Sequence, residues 1–413
     1  MKKILVIGYV WPEPNSSAAG SHMLSILRLF KQQNWQVEFA TPAQTTDHMI
    51  DLASEGISSQ SVTLNCASFD SYITNYQPDI VMFDRFMMEE QFGWRVEQCC
   101  PNALKILDTE DLQCLRNARQ LAHKAEREFN QADLCSDLAK REIAAILRCD
   151  ISLIISSFEM ALLVDTFKVD ASILHYLPFM VDIAKCPTTT TAYSDRQHFM
   201  TIGNFRHAPN WDIILYLQKI WPLIKKQLPD AELHIYGSYP PPKATALHNP
   251  KTGFLIKGWA ENALEVMKQS RLCLAPIRFG AGIKGKLLDA MIAQTPSITT
   301  TLGSEGMYDA EHQPWPGVIT DDITKFVEAA VNLYSNESTW TDAQQHSTPL
   351  LKARYDSETL GAKLINKITE VEKNVEQHRL NNFTGAMLKH HSMMSTKYMS
   401  QWISVKNKNS RTN

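Results

Sequence analysis

Over residues 274–291 the chain reads LAPIRFGAGIKGKLLDAM, an apolar strand, a glycine-rich loop and the opening turns of a helix in direct succession. A strand that passes through such a loop into a helix is the building unit of a wound parallel sheet. A loop without side chains also admits an anion to its backbone amides, and the helix N-terminus together with Lys284 and Lys286 would hold it there. Cations at that end oppose the helix dipole, so they serve a bound anion better than they serve the helix. The expected ligand is a diphosphate at Gly280, Gly282 and the two lysines, with Lys286 the leading contact.

The same alternation runs through most of the 413 residues. KKILVIG reads as a buried strand, 21–33 as an amphipathic helix and 36–40 as a second strand. Further strands are expected at 79–83, 103–108 and 151–156, with a long helical pattern over 115–147. The apolar pattern then lapses in KCPTTTTAYSDR, a polar stretch suited to crossing between compact units. It restarts with strands at 199–203, 232–237, 254–257, 272–276 and 297–300 and helices at 211–227, 261–270, 284–293 and 323–335. The reading is α/β: two doubly wound Rossmann-like domains facing across a cleft, where ligands of open parallel sheets collect. The expected boundaries are 1–182 for the first domain, 183–197 for a linker, 198–356 for the second domain and 357–413 for a helical segment returning to the first.

Composition narrows the partners. A net charge of −3 gives no general attraction to nucleic acid. The eight cysteines form no CxxC pair and no zinc-like grouping with histidine, so reduced thiols in the cytoplasm and no bound metal are expected. The opening apolar run at 4–7 is too short for a signal-peptide core, and no stretch approaches the roughly 18 apolar residues of a membrane span. From Arg379 onward there are six Lys or Arg and no Asp or Glu, with Phe383, Met387, Met394, Tyr398 and Trp402 spaced for one side of a helix. That helix either docks these side chains on its own first domain, the commoner arrangement, or lies on anionic lipid at the inner membrane. The last half-dozen residues are expected to be disordered.

GAGIKG at 280–285 also fits the dinucleotide fingerprint G-x-G-x-x-G, which raises a nicotinamide enzyme. The acid that should close the next strand is missing, since Thr299, Thr300 and Thr301 occupy that edge. In the first half, Asp108, Glu110 and Asp111 follow a strand end and therefore face the cleft, where one of them could take a proton from a hydroxyl. Asp111 is the candidate, with helix capping as its alternative.

The segment order IGNFRHAPNWD, PDAELHIYGS, GFLIKGW, APIRFGAGIKGKLLDAM and TPSITTTLGSEGM resembles the nucleotide-sugar domain of bacterial GT-B fold glycosyltransferases, above all the retaining family 4 enzymes of group 1 type in their GIK-x-K variant. The first half, with the small-residue loop at 16–20, LDTEDLQCLR and DISLIISSFE, is similar to the partner domain of the same family. The resemblance covers about residues 1–370. It implies sugar transfer from a nucleoside-diphosphate sugar, as co-substrate and not as a cofactor, to a glycan, lipid-linked or other hydroxyl acceptor, as in surface polysaccharide synthesis.

The resemblance also implies roles. The loop after the first strand of the second domain would bring Gly203, Arg206 and Asn210 to the donor diphosphate, with Arg206 stabilising the leaving group. The family marker, Glu, seven residues, Glu, has Asp289 at its second position and Ala281 at its first. Asp289 would accept from the ribose, while Glu305 and Gly306 would make up the missing donor contact. Related sequences read DTVDLH where this chain has DTEDLQ, so Gln113 replaces an imidazole. Asn15, Gly20 and His22 are the acceptor-side candidates. The open alternatives are a non-catalytic glycan- or partner-binding protein, a nucleotide-sugar epimerase and an NAD-dependent oxidoreductase.

Overall fold

A computed structural model describes residues 1–186 and 191–412, with side chains through Lys406. The first unit is a seven-stranded sheet in the order β3-β2-β1-β4-β5-β6-β7. Its strands are β1 (Lys3–Ile7), β2 (Gln36–Thr41), β3 (Ser58–Ser61), β4 (Ile80–Asp84), β5 (Leu104–Asp108), β6 (Ile151–Ile154) and β7 (Leu174–Tyr176). The second is a six-stranded sheet in the order β10-β9-β8-β11-β12-β13. Its strands are β8 (Gln197–Ile202), β9 (Leu233–Tyr236), β10 (Phe254–Gly258), β11 (Ser270–Ala275), β12 (Ser297–Thr299) and β13 (Gly317–Ile319). Every pairing between named strands is parallel.

Parallel strands buried on both faces need unbroken apolar runs. β1 as KILVI and β4 as IVMFD meet that demand, with Ile4 through Ile7 and Ile80 through Phe83 inaccessible to solvent. The chain runs outward from β1 to β3 and returns to place β4 beside β1; it repeats the manoeuvre from β8 to β10 and sets β11 beside β8. Strand order therefore reverses between β1 and β4 and between β8 and β11, and a ligand crevice opens at the carboxyl ends of those pairs.

The expected strands are present, and three more appear. β3 is SSQS, wholly exposed at a sheet edge, so it carries no hydrophobic signal. β7 and β13 are three residues each. The single helical pattern over 115–147 is two helices, Gln113–Lys124 and Asp137–Arg148, separated by a turn. Asn130 caps that turn in a reciprocal box with Asp133, and Ser136 caps the second helix, so local side-chain bonds end what periodicity would continue. Of the expected linker, 187–190 lie outside the described residues, as do the side chains of the last residues expected to be disordered.

The helix Ser357–Lys373 buries Leu360, Leu364, Ile368 and Val371 in the cluster that holds Ile4, Val6 and Leu29 of the first unit. The terminal helix, Phe383–Thr412, packs on the helices Phe86–Cys99 and Asp137–Arg148. Its docked side is not the apolar one. Gly385 approaches the Leu147 carbonyl, Arg148 donates to Ser392 Oγ at 2.9 Å and Arg95 to Ser400 Oγ at 3.2 Å, while Phe383, Met387, Met394, Tyr398 and Trp402 face outward. Small residues permit close approach, and the serines add a hydrogen bond to each of two buried arginines that Glu89 and Asp70 already pair.

Candidate functional site

The second unit contributes two loops that flank its switch point. After β8, Gly203 has no side chain because the Asn210 amide lies 2.6 Å from where a Cβ would stand. Asn204 Oδ1 accepts from Arg206 N–H at 2.8 Å, a local turn that starts the helix Ala208–Gln227, and Asn210 Nδ2 donates to the Asn204 carbonyl. The Asn210 side-chain oxygen Oδ1 accepts from Lys286 Nζ at 2.8 Å. Gly203, Asn210 and Lys286 therefore converge between β8 and the helix Gly285–Ile292. Burial lowers the Lys286 ammonium to about 8. One turn further along that helix, Asp289 accepts no hydrogen bond among the described residues, and burial raises its carboxyl to about 7. Arg206 lies exposed with its guanidinium 3.7 Å from the centre of the Tyr239 ring, and Tyr239 in turn donates to Glu13 of the first unit.

The glycine loop is arranged differently from the sequence expectation. Gly282, at φ +64°, donates its amide to Glu159 Oε1 at 2.8 Å, and the Gly280 carbonyl accepts from Arg119 at 3.0 Å. Both partners belong to the first unit, so the Gly282 amide meets a carboxylate of this chain. Lys284 caps the helix, yet its ammonium turns back to the Gly282 carbonyl at 2.7 Å and sits near Glu305 and Glu159. Burial lowers it to about 8 against the pull of those acids. The two lysines thus have different partners, and only Lys286 reaches the Gly203 loop. Glu305 is held by Arg119 through two bonds of 2.7 and 2.8 Å, and Gly306 packs against Ser156.

On the first unit, Asp84, Asp108 and Glu110 are buried at the carboxyl ends of β4 and β5 beside His22. Burial raises Asp108 and Glu110, reinforced by Asp84 for the one and Asp108 for the other; burial lowers His22. Neither ring nitrogen of His22 has a hydrogen-bond partner, and one oxygen each of Asp84, Asp108 and Glu159 is likewise unmatched. Arg85 at φ +68° and Glu110 at φ +55° occupy left-handed backbone that ordinary residues avoid, a strain typical of ligand sites. Asp111 is bonded to Arg116 at 2.6 Å, and although burial opposes it, Arg116 keeps the carboxyl below its usual range. It also touches the glycine loop: a Cβ on Gly282 would lie 2.7 Å from that of Asp111. Gly20 packs beneath the Glu13 backbone, and exposed Asn15 offers its carbonyl to Trp259 Nε1. Sequence reasoning missed Arg119, Glu159 and Arg116, and left Asp84 and Arg85 without a role. Glu159 follows a strand end in SSFE, which is a usable signal; Arg119 sits in mid-helix and gives none.

Two other features lie at the amino ends of the second sheet. A depression of about 460 Å³ is lined by Trp221, Lys225 and Phe254. Among the described residues, His198, Glu232 and His234 form the group whose ligand atoms lie within 4.8 Å of one another. The Glu232 amide donates to His198 Nδ1, which leaves the neutral ring's proton on Nε2, facing the Glu232 carboxylate. His234 Nε2 is 2.7 Å from the same carboxylate.

Comparisons with known proteins give the arrangement a family context. Residues 196–336 match the family model described as Glycosyl transferases group 1. An uncharacterized 44.6 kDa protein in the cps region of Klebsiella pneumoniae is 27% identical over 164 residues, 38% of this chain and 42% of that protein. Sucrose-phosphate synthase from Thermosynechococcus elongatus superposes with a TM-score of 0.66 at 13% identity, covering 90% of this chain and 99% of that one. A variant of S. aureus TarM in complex with fondaparinux, alpha-GlcNAc-glycerol and UDP gives 0.66 at 10%, covering 89% and 99%. Anabaena HepE in complex with UDP and glucose gives 0.66 at 10%, covering 90% and 100%. The fold is therefore the two-unit GT-B architecture, and its second unit is the part that matches the group 1 glycosyltransferase model.

Proposed function

We propose that this protein transfers a sugar from a nucleoside-diphosphate donor to a hydroxyl acceptor, with retention of the anomeric configuration, in the cytoplasmic assembly of a surface glycan. The observation that carries this reading is the convergence of Gly203, Asn210 and Lys286 at the second unit's switch point, with the unbonded carboxylate of Asp289 one helical turn away. A diphosphate there would exchange the Lys286–Asn210 bond for a charge-assisted one and raise the depressed ammonium back toward its ordinary range. Asp289 would accept from the ribose, and Arg206, exposed over the Tyr239 face, would meet the departing phosphate. These cations can balance the leaving group, so the reading includes neither a metal nor a cofactor.

Glu159 accepts from the Gly282 amide and Arg119 holds Glu305, so both bring the first unit against the donor loop. The acceptor would enter over Asp84, Asp108 and His22, whose unmatched atoms need hydroxyl partners. Front-face displacement, in which the leaving phosphate oxygen takes the acceptor's proton, suits a site where Asp111 is already neutralised by Arg116. The K. pneumoniae relative lies in a cps region and HepE and TarM hold UDP, which favours a polysaccharide acceptor and makes UDP the first nucleotide to try. No described helix is long and apolar enough to cross a membrane; the acceptor would be met at the surface of the inner membrane.

Titration calorimetry against UDP, GDP, ADP and CMP tests the reading. One nucleotide is expected to bind, with affinity reduced at least about tenfold in Lys286→Ala and Arg206→Ala, each lost charge-assisted contact being worth about 1.5–3 kcal/mol. Equal binding by both variants rejects the site. Binding without turnover of any sugar nucleotide would instead support a non-catalytic role, which the Arg119 hold on Glu305 favours.

A further inference from the structure

The terminal helix leaves its most apolar side uncovered. Phe383, Met387, Met394, Tyr398, Trp402 and Val405 are between 42% and 62% exposed. At 100° per residue they fall within an arc of about 100°, which is one continuous stripe. The docked residues Gly385, Ser392 and Ser400 fall on the other side, where Arg148 and Arg95 hold the serines. The helix is therefore already anchored without the stripe, and turning the stripe inward would forfeit those bonds.

Charge indicates what the stripe meets. From Arg379 to the C-terminus the chain has no acid, and the cations that the docked face uses are accounted for: Arg379 bonds Asp150, and Lys389 lies 3.9 Å from Glu97. Lys397 and Lys406 flank the stripe on opposite sides, with the Lys406 ammonium over the Trp402 ring, and His390 and His391 lie along it exposed. An apolar band edged by cations, with Tyr and Trp among its members, matches the boundary between acyl chains and anionic headgroups. A second copy of the chain fits poorly, because mating two such faces would oppose lysine to lysine with no acid to pair them.

We propose that the outer face of this helix docks on an anionic lipid surface. The stripe spans residues 383–405, about 33 Å at 1.5 Å per residue, so the helix lies along the bilayer plane with its first-unit partners behind it. The helix Phe86–Cys99, on which it rests, starts beside Arg85 in the crevice. Docking would thus hold the acceptor side of the crevice near the lipid, which deepens the reading of a membrane-borne acceptor without depending on it.

Co-sedimentation of the full chain with vesicles tests this. Affinity for phosphatidylcholine vesicles containing about 30% phosphatidylglycerol is expected to exceed that for pure phosphatidylcholine at least about tenfold and to fall with added salt. Tyr398→Glu/Trp402→Glu and Lys397→Glu/Lys406→Glu should each lose most of that binding, and because all four side chains lie outside the core their thermal midpoints should stay near that of the unchanged chain. Absence of binding to anionic vesicles, or equal binding by the variants, overturns the proposal. A concentration-dependent dimer abolished by Tyr398→Glu/Trp402→Glu would overturn it in favour of a second copy. Nucleotide binding measured on the same variants should be unchanged, so loss of docking is distinguishable from failure of the transferase reading.

Discussion

In the proposed site, Asp289 is a single carboxyl that would work for a ligand and against the fold. Its pKa is raised to about 7 by burial alone, with no cation credited as a partner. The native chain therefore holds this proton more tightly than the unfolded chain does, and stability falls as pH rises from about 4 to about 7, then levels off once the carboxylate is charged in both states. Asp289→Asn removes that cost. The variant should unfold at a higher temperature than the unchanged chain at pH 8, by an amount on the order of 1 kcal/mol after solvent screening, and the difference should shrink toward pH 4. The same variant should bind the nucleoside diphosphate more weakly, because an amide is a poorer acceptor for ribose hydroxyls than a carboxylate. Melting curves across pH, paired with calorimetry, check both signs; a variant that is less stable at pH 8 would mean that Asp289 has a structural partner after all.

At the scale of elements, the glycine loop is shaped by what leans on it. Gly282 is left-handed, and an added Cβ would stand 2.7 Å from Asp111 Cβ and 3.4 Å from Ile155 Cγ2. Gly282→Ala must push the loop away from the first unit and loosen the Glu159 bond, so donor affinity should drop at least about tenfold, with a strain cost of about 1–3 kcal/mol. Gly258→Ala is the control: it has φ +76° but nothing within 4 Å, so it should show the strain without the affinity loss. The sequence made the strand–loop–helix order readable here because glycines and an apolar run carry it, and for the same reason β1, β4 and β11 were legible. It could not disclose what Glu159 and Arg119 meet, because their partners lie 123 and 161 positions away along the chain. β3 was illegible because an exposed edge needs no apolar residues. The terminal helix docks on the first unit as one of the two expected arrangements had it, but the stripe visible in the sequence faces out, while Gly385, Ser392 and Ser400 pack inward, the serines bonded to Arg148 and Arg95.

For the whole molecule, polar contacts of unequal strength join the two units across the crevice, Tyr239 to Glu13 and Trp259 to Asn15 among them. Ser16 Oγ donates to Ser238 Oγ at 3.0 Å, Glu159 accepts from Gly282, and Arg119 grips Glu305 and the Gly280 carbonyl together. Arg119 is the strongest of these because it is largely buried and its two-pronged bond satisfies a carboxylate. Truncating one partner of such a pair costs on the order of 3 kcal/mol. The first unit has two clusters almost entirely of its own residues, and the second unit's cluster takes only Ile155, Phe179 and Val181 from the first, so this loss should loosen the crevice and leave the units folded. Arg119→Ala is therefore expected to increase the radius of gyration in small-angle scattering without nucleotide, while the main thermal transition moves little. Because a closed crevice keeps water from the donor, the same variant should also hydrolyse more sugar nucleotide per transfer. Arg119→Lys retains one charge but not the fork, and should fall between the two. An unchanged radius of gyration in Arg119→Ala would show that the remaining contacts hold the units together unaided.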